Sequence, residues 1–316
     1  MQKDFTYYIY SGLIASLKKA GYVLLPFIDY ISNGSDFDRC VVIRHDVDRK
    51  PGNALLIAKI EKDAGIKASY YFRMVKESYD ENVIRQIIDM GHEIGYHYEN
   101  LSEMSKKNPH PGGIAFGFHR AGITQIVADY LISHRHTQTH TDIYPADLAG
   151  QKWSSLREKK EFTDKLFELS IDDFRLNLEK LRKLYPVKTI CMHGSPLSKY
   201  ENKEIWEKYD YRDYGIIAEP YFDIDFDEVL YITDTGRSWN NSSASIRDKV
   251  NSKFDITIKD THDLIEKIQN NELPDKIMMN VHPQRWNDEF VPWVSELVGH
   301  NIKNLIKRIL VWRAER

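Results

Sequence analysis

Two aspartates with one residue between them, Asp46 and Asp48, close the run CVVIRHDVD. In an extended chain, residues two apart project to the same side, so the two carboxylates converge. Two such groups do not both stay ionised and unpaired at close range; a bound cation or a shared proton resolves the conflict. His97, His193 and His282 offer imidazoles from elsewhere in the chain. Carboxylate and imidazole together suit a divalent metal, zinc or a similar first-row ion. The alternative is a structural aspartate pair capping the next helix, which accounts for none of the histidines.

Such a set needs elements that bring distant residues together. Short apolar runs alternate with helical patterns along the chain. Strands are expected at 40–47, 67–74, 92–97, 187–193, 215–218, 229–233 and 276–281. Helical patterns are expected at 52–64, 80–90, 161–184 and 261–269, the third carrying Phe167, Ile171, Phe174, Leu178 and Leu181 at three-to-four spacing. This βα alternation implies an α/β fold with a parallel sheet and helices outside it, a barrel or an open doubly wound sheet. No internal repeat or low-complexity linker divides the chain, so residues 1–316 read as a single domain. Residues 102–160, rich in Lys, Pro, Gly, Thr and His, read as an insertion between a strand and its helix, with a short helix near 121–132 and a role as lid or binding loop.

In parallel α/β folds, chemistry gathers at the carboxyl ends of the strands. The expected ends carry RHDVD (44–48), His97 with Glu99, HGSP (193–196), DTGRSW (234–239) and HPQRW (282–286). Strand alternation sets His97 on the face opposite His92; His97 also lies at the functional end and His92 at the other, where it reads as structural. His193 and His282 each stand next to turn residues that would fix them at the sheet rim.

These motifs resemble the polysaccharide deacetylase superfamily, also called carbohydrate esterase family four or the NodB-homology fold. RHDVD looks like the family's first motif, and GHEIGYH (91–97) like its second, whose last histidine binds the metal. DTGRSW and NVHPQRW are similar to the fourth and fifth, the latter supplying a catalytic histidine. The resemblance spans about residues 38–101 and 160–290. It implies a distorted, incomplete (β/α) barrel of the polysaccharide deacetylase type, with a long insertion after an early strand. There are departures. The family's second metal histidine is here Leu101, and its third motif is replaced by CMHGSP. Three outcomes stay open: His193 supplies the missing ligand, Glu99 does, or the metal site is weakened.

The resemblance implies metal-assisted hydrolysis of an acetylated sugar or glycan precursor. Asp48, His97 and His193 are the expected metal ligands, with Asp46 as general base and His282 as general acid. Asp234 and Arg237 are expected to orient them. His45, Glu99, Trp239 and Trp286 are the expected substrate contacts, the tryptophans as an apolar wall against a sugar ring or, alternatively, as core. Two rivals remain: a non-catalytic relative that binds a glycan or nucleotide-sugar, and a hydrolase of a non-sugar amide.

Composition narrows the setting. The chain has 316 residues, with 44 Lys and Arg against 47 Asp and Glu, so its formal charge is −3. So small an imbalance argues against a nucleic-acid partner. No apolar run approaches the roughly 20 residues that span a bilayer. The first residues have no apolar core of a signal peptide. Two cysteines, Cys40 and Cys191, lie in apolar runs and read as core residues of a reducing compartment. The expected location is the cytoplasm. A basic amphipathic stretch at 299–316 reads as a closing helix, with weak membrane-surface contact as the alternative. His134, His136 and His140, with His110 and His119, read as solvated loop residues more than as a second metal site. Oligomeric state is not legible.

Overall fold

A computed structural model describes residues 3–33, 36–108, 147–195, 198–239 and 250–298, with backbone alone for 147–159. Its centre is a strand that reads as a near-continuous apolar run. Strand β2 (Cys40–Val47) is buried at all eight positions, as expected of a parallel strand covered on both faces. It follows α1 (Tyr7–Lys19), β1 (Val23–Leu25) and α2 (Phe27–Asn33). After it come α3 (Pro51–Asp63), β3 (Ser69–Phe72), α4 (Glu81–Asp89), β4 (Glu93–Tyr98) and α5 (Asn100–Lys107). A 36-residue helix, α6 (Asp147–Arg182), leads to β5 (Ile190–Met192) and β6 (Leu230–Thr233). Helix α7 (Thr261–Gln269) and β7 (Lys276–Val281) close the sheet.

The strands pair in the order β5-β4-β3-β2-β7-β6, all parallel, in a curled half-barrel. This is an α/β fold consistent with a distorted, incomplete barrel. One edge of β2 is shared between two partners. Val23–Leu25 pairs with Cys40–Val42, and Ser69–Phe72 takes over from Arg44 to Val47. The other edge runs along β7, with His45 opposite Val281.

Helix boundaries follow local chemistry. Thr6, Asp80 and Asp260 each accept a backbone N–H as N-caps of α1, α4 and α7. Pro51 opens α3, where its missing N–H costs no hydrogen bond. The faces of the sheet then divide by alternation. Val41, Ile43, Tyr70, Ile94 and Met279 pack outward with helical residues such as Leu13, Ile57 and Phe174. Val42, Tyr71, Cys191 and Met278 pack inward with Phe27 and Phe226.

Several expectations need correction. Residues 215–218 make no named strand, only one bridge between Thr189 and Ala218. Gly215 sits at φ 69° and Pro220 starts a helical turn, leaving too short an extended run. Helices α5 and α6 occupy the two ends of the expected 102–160 insertion. Its middle, including the expected helix near 121–132 and His110, His119, His134, His136 and His140, lies outside the described residues. So does the stretch 299–316. Among the described residues, no helix is long and apolar enough to cross a membrane.

Candidate metal centre

Three side chains from three chain segments meet at the carboxyl edge of the sheet. Asp48 follows β2, His97 is the penultimate residue of β4, and His193 follows β5. One donor atom from each lies within 4.8 Å of the others, an arrangement that could hold a metal ion. Asp48 Oδ1 is 3.4 Å from His97 Nε2 and 3.5 Å from His193 Nε2. The imidazoles stand nearly perpendicular, with ring centroids 5.1 Å apart.

The far side of each ligand is held. His97 Nδ1 lies 3.0 Å from the Cys191 carbonyl, which can only accept, so Nδ1 carries a proton and Nε2 is the nitrogen turned towards Asp48 for an ion to displace its proton or take its lone pair. His193 Nδ1 likewise lies 3.1 Å from Glu99 Oε2, which leaves Nε2 turned towards Asp48. Glu99 is in turn gripped by Arg73, at 2.7 Å from Nε and 2.8 Å from Nη2. The same guanidinium donates to the Asp48 carbonyl at 3.1 Å. Asp48 Oδ2 accepts from Gln284 at 2.9 Å, while Oδ1 is buried with no hydrogen-bond partner.

The electrostatics of the site also ask for a positive charge. Burial alone would raise the Asp48 carboxyl, but nearby His97, His193 and His282 hold it well below the usual range. Burial would lower the His97 pKa, yet Asp46 and Asp48 raise it above its ordinary value. Glu99 is pushed up by burial and brought down to about 2 by His193 and Arg73. A donor set of one carboxylate and two oriented imidazoles, with an orphaned carboxylate oxygen among them, therefore fits a divalent cation.

Asp46 stands beside this group and is differently held. Its Oδ2 accepts from Arg44 at 2.9 Å and from Asn280 at 3.0 Å. Its Oδ1 is buried without a partner. Across the β2–β7 pairing, His282 Nδ1 lies 2.7 Å from Asp234 Oδ1. Asp234 also receives the His282 backbone N–H, Arg285 at 2.7 Å and the Trp286 indole at 2.8 Å. Burial would raise Asp234, but Arg285 and His282 bring its pKa below the ordinary value. The dyad leaves His282 Nε2 as the nitrogen not engaged by Asp234.

Of the sequence-predicted residues, the structure brings together Asp46, Asp48, His97 and His193, and it pairs His282 with Asp234. Leu101 is fully buried in α5 against Met104 and Leu166, so it is core. Glu99 is not among the converging donors; its carboxylate is occupied by Arg73 and the far nitrogen of His193. His92 is structural as expected, bonded to the Ala68 N–H and the Ala58 carbonyl.

Four expectations fail on geometry. His45 alternates to the outer face of β2, where it bonds Glu61 at 2.7 Å and stacks on Tyr70, so it is no substrate contact. Trp239 and Trp286 are buried with their indole N–H groups on Thr261 and Asp234, and so form core, not an apolar wall. Arg237 turns away over Phe5 and Trp293 and donates to the Arg285 carbonyl. Arg285 takes the role expected of Arg237.

Arg73, Gln284 and Arg285 were not foreseen. Arg73 follows β3 directly, a strand-end position of the same kind as that of His193, and that position is the signal for it in the sequence. Gln284 and Arg285 stand inside the HPQRW segment but carried no chemistry of their own.

Comparison with protein-family models returns no match, and no curated protein matches the chain.

Proposed function

We propose that the chain is a metal-dependent hydrolase that removes an acetyl group from an N- or O-acetylated sugar in glycan biosynthesis. The observation that carries this reading is the convergence of Asp48, His97 and His193 beside an unpaired Asp46 oxygen and an Asp234–His282 dyad. Asp48, His97 and His193 would hold the ion, zinc by the character of the donors. When bound, such an ion supplies Lewis acidity, polarising an acyl oxygen and lowering the pKa of water.

The protein's own groups do the rest. Asp46 takes the proton of the attacking water at Oδ1, because Arg44 and Asn280 already hold Oδ2 and orient the carboxylate. His282, fixed by Asp234 through Nδ1, presents Nε2 and, when protonated, delivers that proton to the leaving amine or alkoxide. Glu99 and Arg73 keep the His193 lone pair aimed at the ion. His193 thereby stands in for the ligand whose family position is Leu101. The family resemblance, not the geometry, supplies the sugar.

The test is acetate release by the zinc-loaded protein from a panel of N- and O-acetylated sugars, with small cyclic amides as the competing class. Turnover of the sugars supports the proposal. Zinc binding with turnover only of cyclic amides would transfer the site to non-sugar amide hydrolysis.

A further inference from the structure

A second group of donor atoms lies beside the first. One atom each from Asp46, His97 and Cys191 falls within 4.8 Å of the others, and all three residues are buried. The sheet puts them there. Asp46 lies on the inner face of β2 with Val42, while His97 and Cys191 are direct partners in the β4–β5 pairing. Asp46 Oδ2 lies 3.9 Å from His97 Nε2, and Asp46 Oδ1 is buried with no hydrogen-bond partner, so the carboxylate keeps an oxygen able to accept a ligand.

We propose that Asp46, His97 and Cys191 form an inner metal position selective for thiophilic divalent cations, in competition with the outer Asp48–His97–His193 position. The outer group offers one oxygen and two nitrogens; the inner one replaces a nitrogen with sulfur, the donor that softer ions prefer. On binding, the Cys191 Sγ–H bond breaks, its proton leaves to solvent, and the sulfur lone pair forms the bond to the metal. The carboxylate and thiolate together balance the two charges of the ion in a buried setting. Arg44, 2.9 Å from Asp46, opposes any cation, and a hard ion has no sulfur bond with which to offset that repulsion.

The two positions exclude one another. His97 Nδ1 is committed to the Cys191 carbonyl, so only Nε2 can coordinate, and one lone pair serves one ion. An ion in the inner position also occupies Asp46, the proton acceptor of the proposed reaction. A thiophilic ion would therefore inhibit while leaving the protein metal-bound. The inhibition rests on the reading of Asp46 as base; the binding does not.

Cadmium is the probe. The metal-free protein titrated with cadmium should bind about one equivalent per chain and develop the ultraviolet thiolate-to-cadmium charge-transfer band. Cys191→Ser, which keeps the backbone carbonyl that orients His97, should lose the band yet still retain zinc, showing that the fold and the outer position survive. Cys40→Ser should keep the band. Asp48→Asn and His193→Ala should lose zinc but keep the cadmium band. Cadmium bound without a band, a band that survives Cys191→Ser, or a band lost together with zinc in Asp48→Asn would each overturn the inner position. Zinc retained by both Asp48→Asn and His193→Ala, with the cadmium results as expected, would instead sink the outer one.

Discussion

Asp46 and Asp48 sit with one residue between them, but they differ in what surrounds them. Asp48 faces the Nε2 atoms of two imidazoles, whereas Asp46 is braced by Arg44 and Asn280. Asp48→Asn should therefore lose metal and activity together. Asp46→Asn should keep its zinc while turnover falls by roughly 10²–10⁴, the usual worth of a general base. Equal metal loss in the two variants, measured by elemental mass spectrometry, would contradict the division of roles. A different titration is expected from Glu219, whose carboxyl burial pushes up to about 7 against backbone N–H bonds from Met192 and Tyr221. Its folded pKa is raised, so its contribution is fully present below the unfolded value and is lost as pH rises through about 7. The loss is on the order of 3 kcal/mol across that window. Urea unfolding of the wild type and Glu219→Gln from acid to mildly alkaline pH should show a flatter curve for the variant; parallel curves would contradict the assignment.

At the scale of elements, β4 sets His97 against its neighbours, and Gly95 makes that possible. A Cβ at Gly95 would fall 2.2 Å from Tyr71 Cε1, on the strand next door. Gly95→Ala must displace that ring, whose hydroxyl contacts Thr189 at 2.9 Å. A destabilisation of about 1–3 kcal/mol is expected in thermal or urea unfolding, the range for overpacking a filled interior. An unchanged midpoint would show that Tyr71 yields freely. The loops after β2, β3 and β4 are tied by Arg73, which touches the Asp48 carbonyl and the Glu99 carboxylate. Arg73→Met should weaken zinc affinity by about 10- to 100-fold without removing a ligand, as loss of an orienting partner does. Competition with a chelator of known strength measures it, and wild-type affinity in the variant would contradict the clamp. Strand ends were legible in the sequence because β2, β6 and β7 are apolar runs that stop at polar residues. The partners were less so. Sequence distance hides that Arg73 and Glu99 share a loop cluster, whereas alternation within β2 already sets His45 on the face opposite Asp46.

For the molecule as a whole, periodicity and turn residues gave the parallel α/β sheet, and the carboxyl-edge rule gave the site. Three features escaped both. Helix α1, which lies outside the elements expected from periodicity, caps one side of the sheet through Ile9, Tyr10, Leu13 and Leu17. The half-barrel's inner face is polar at Arg44 and Asn280, side chains that pattern alone would send to the surface. The two tryptophans beside functional loops look exposed in sequence, yet aromatic packing among Phe5, Tyr10, Trp239 and Trp286 buries them. The central claim is that His193, carried by a neighbouring strand, completes a metal centre with Asp48 and His97. Metal stoichiometry of the untagged protein after zinc loading and desalting, compared with His193→Ala, tests it most directly. The account predicts near one zinc per chain in the wild type and little in the variant. No retained zinc in the wild type, or equal zinc in both, would contradict it.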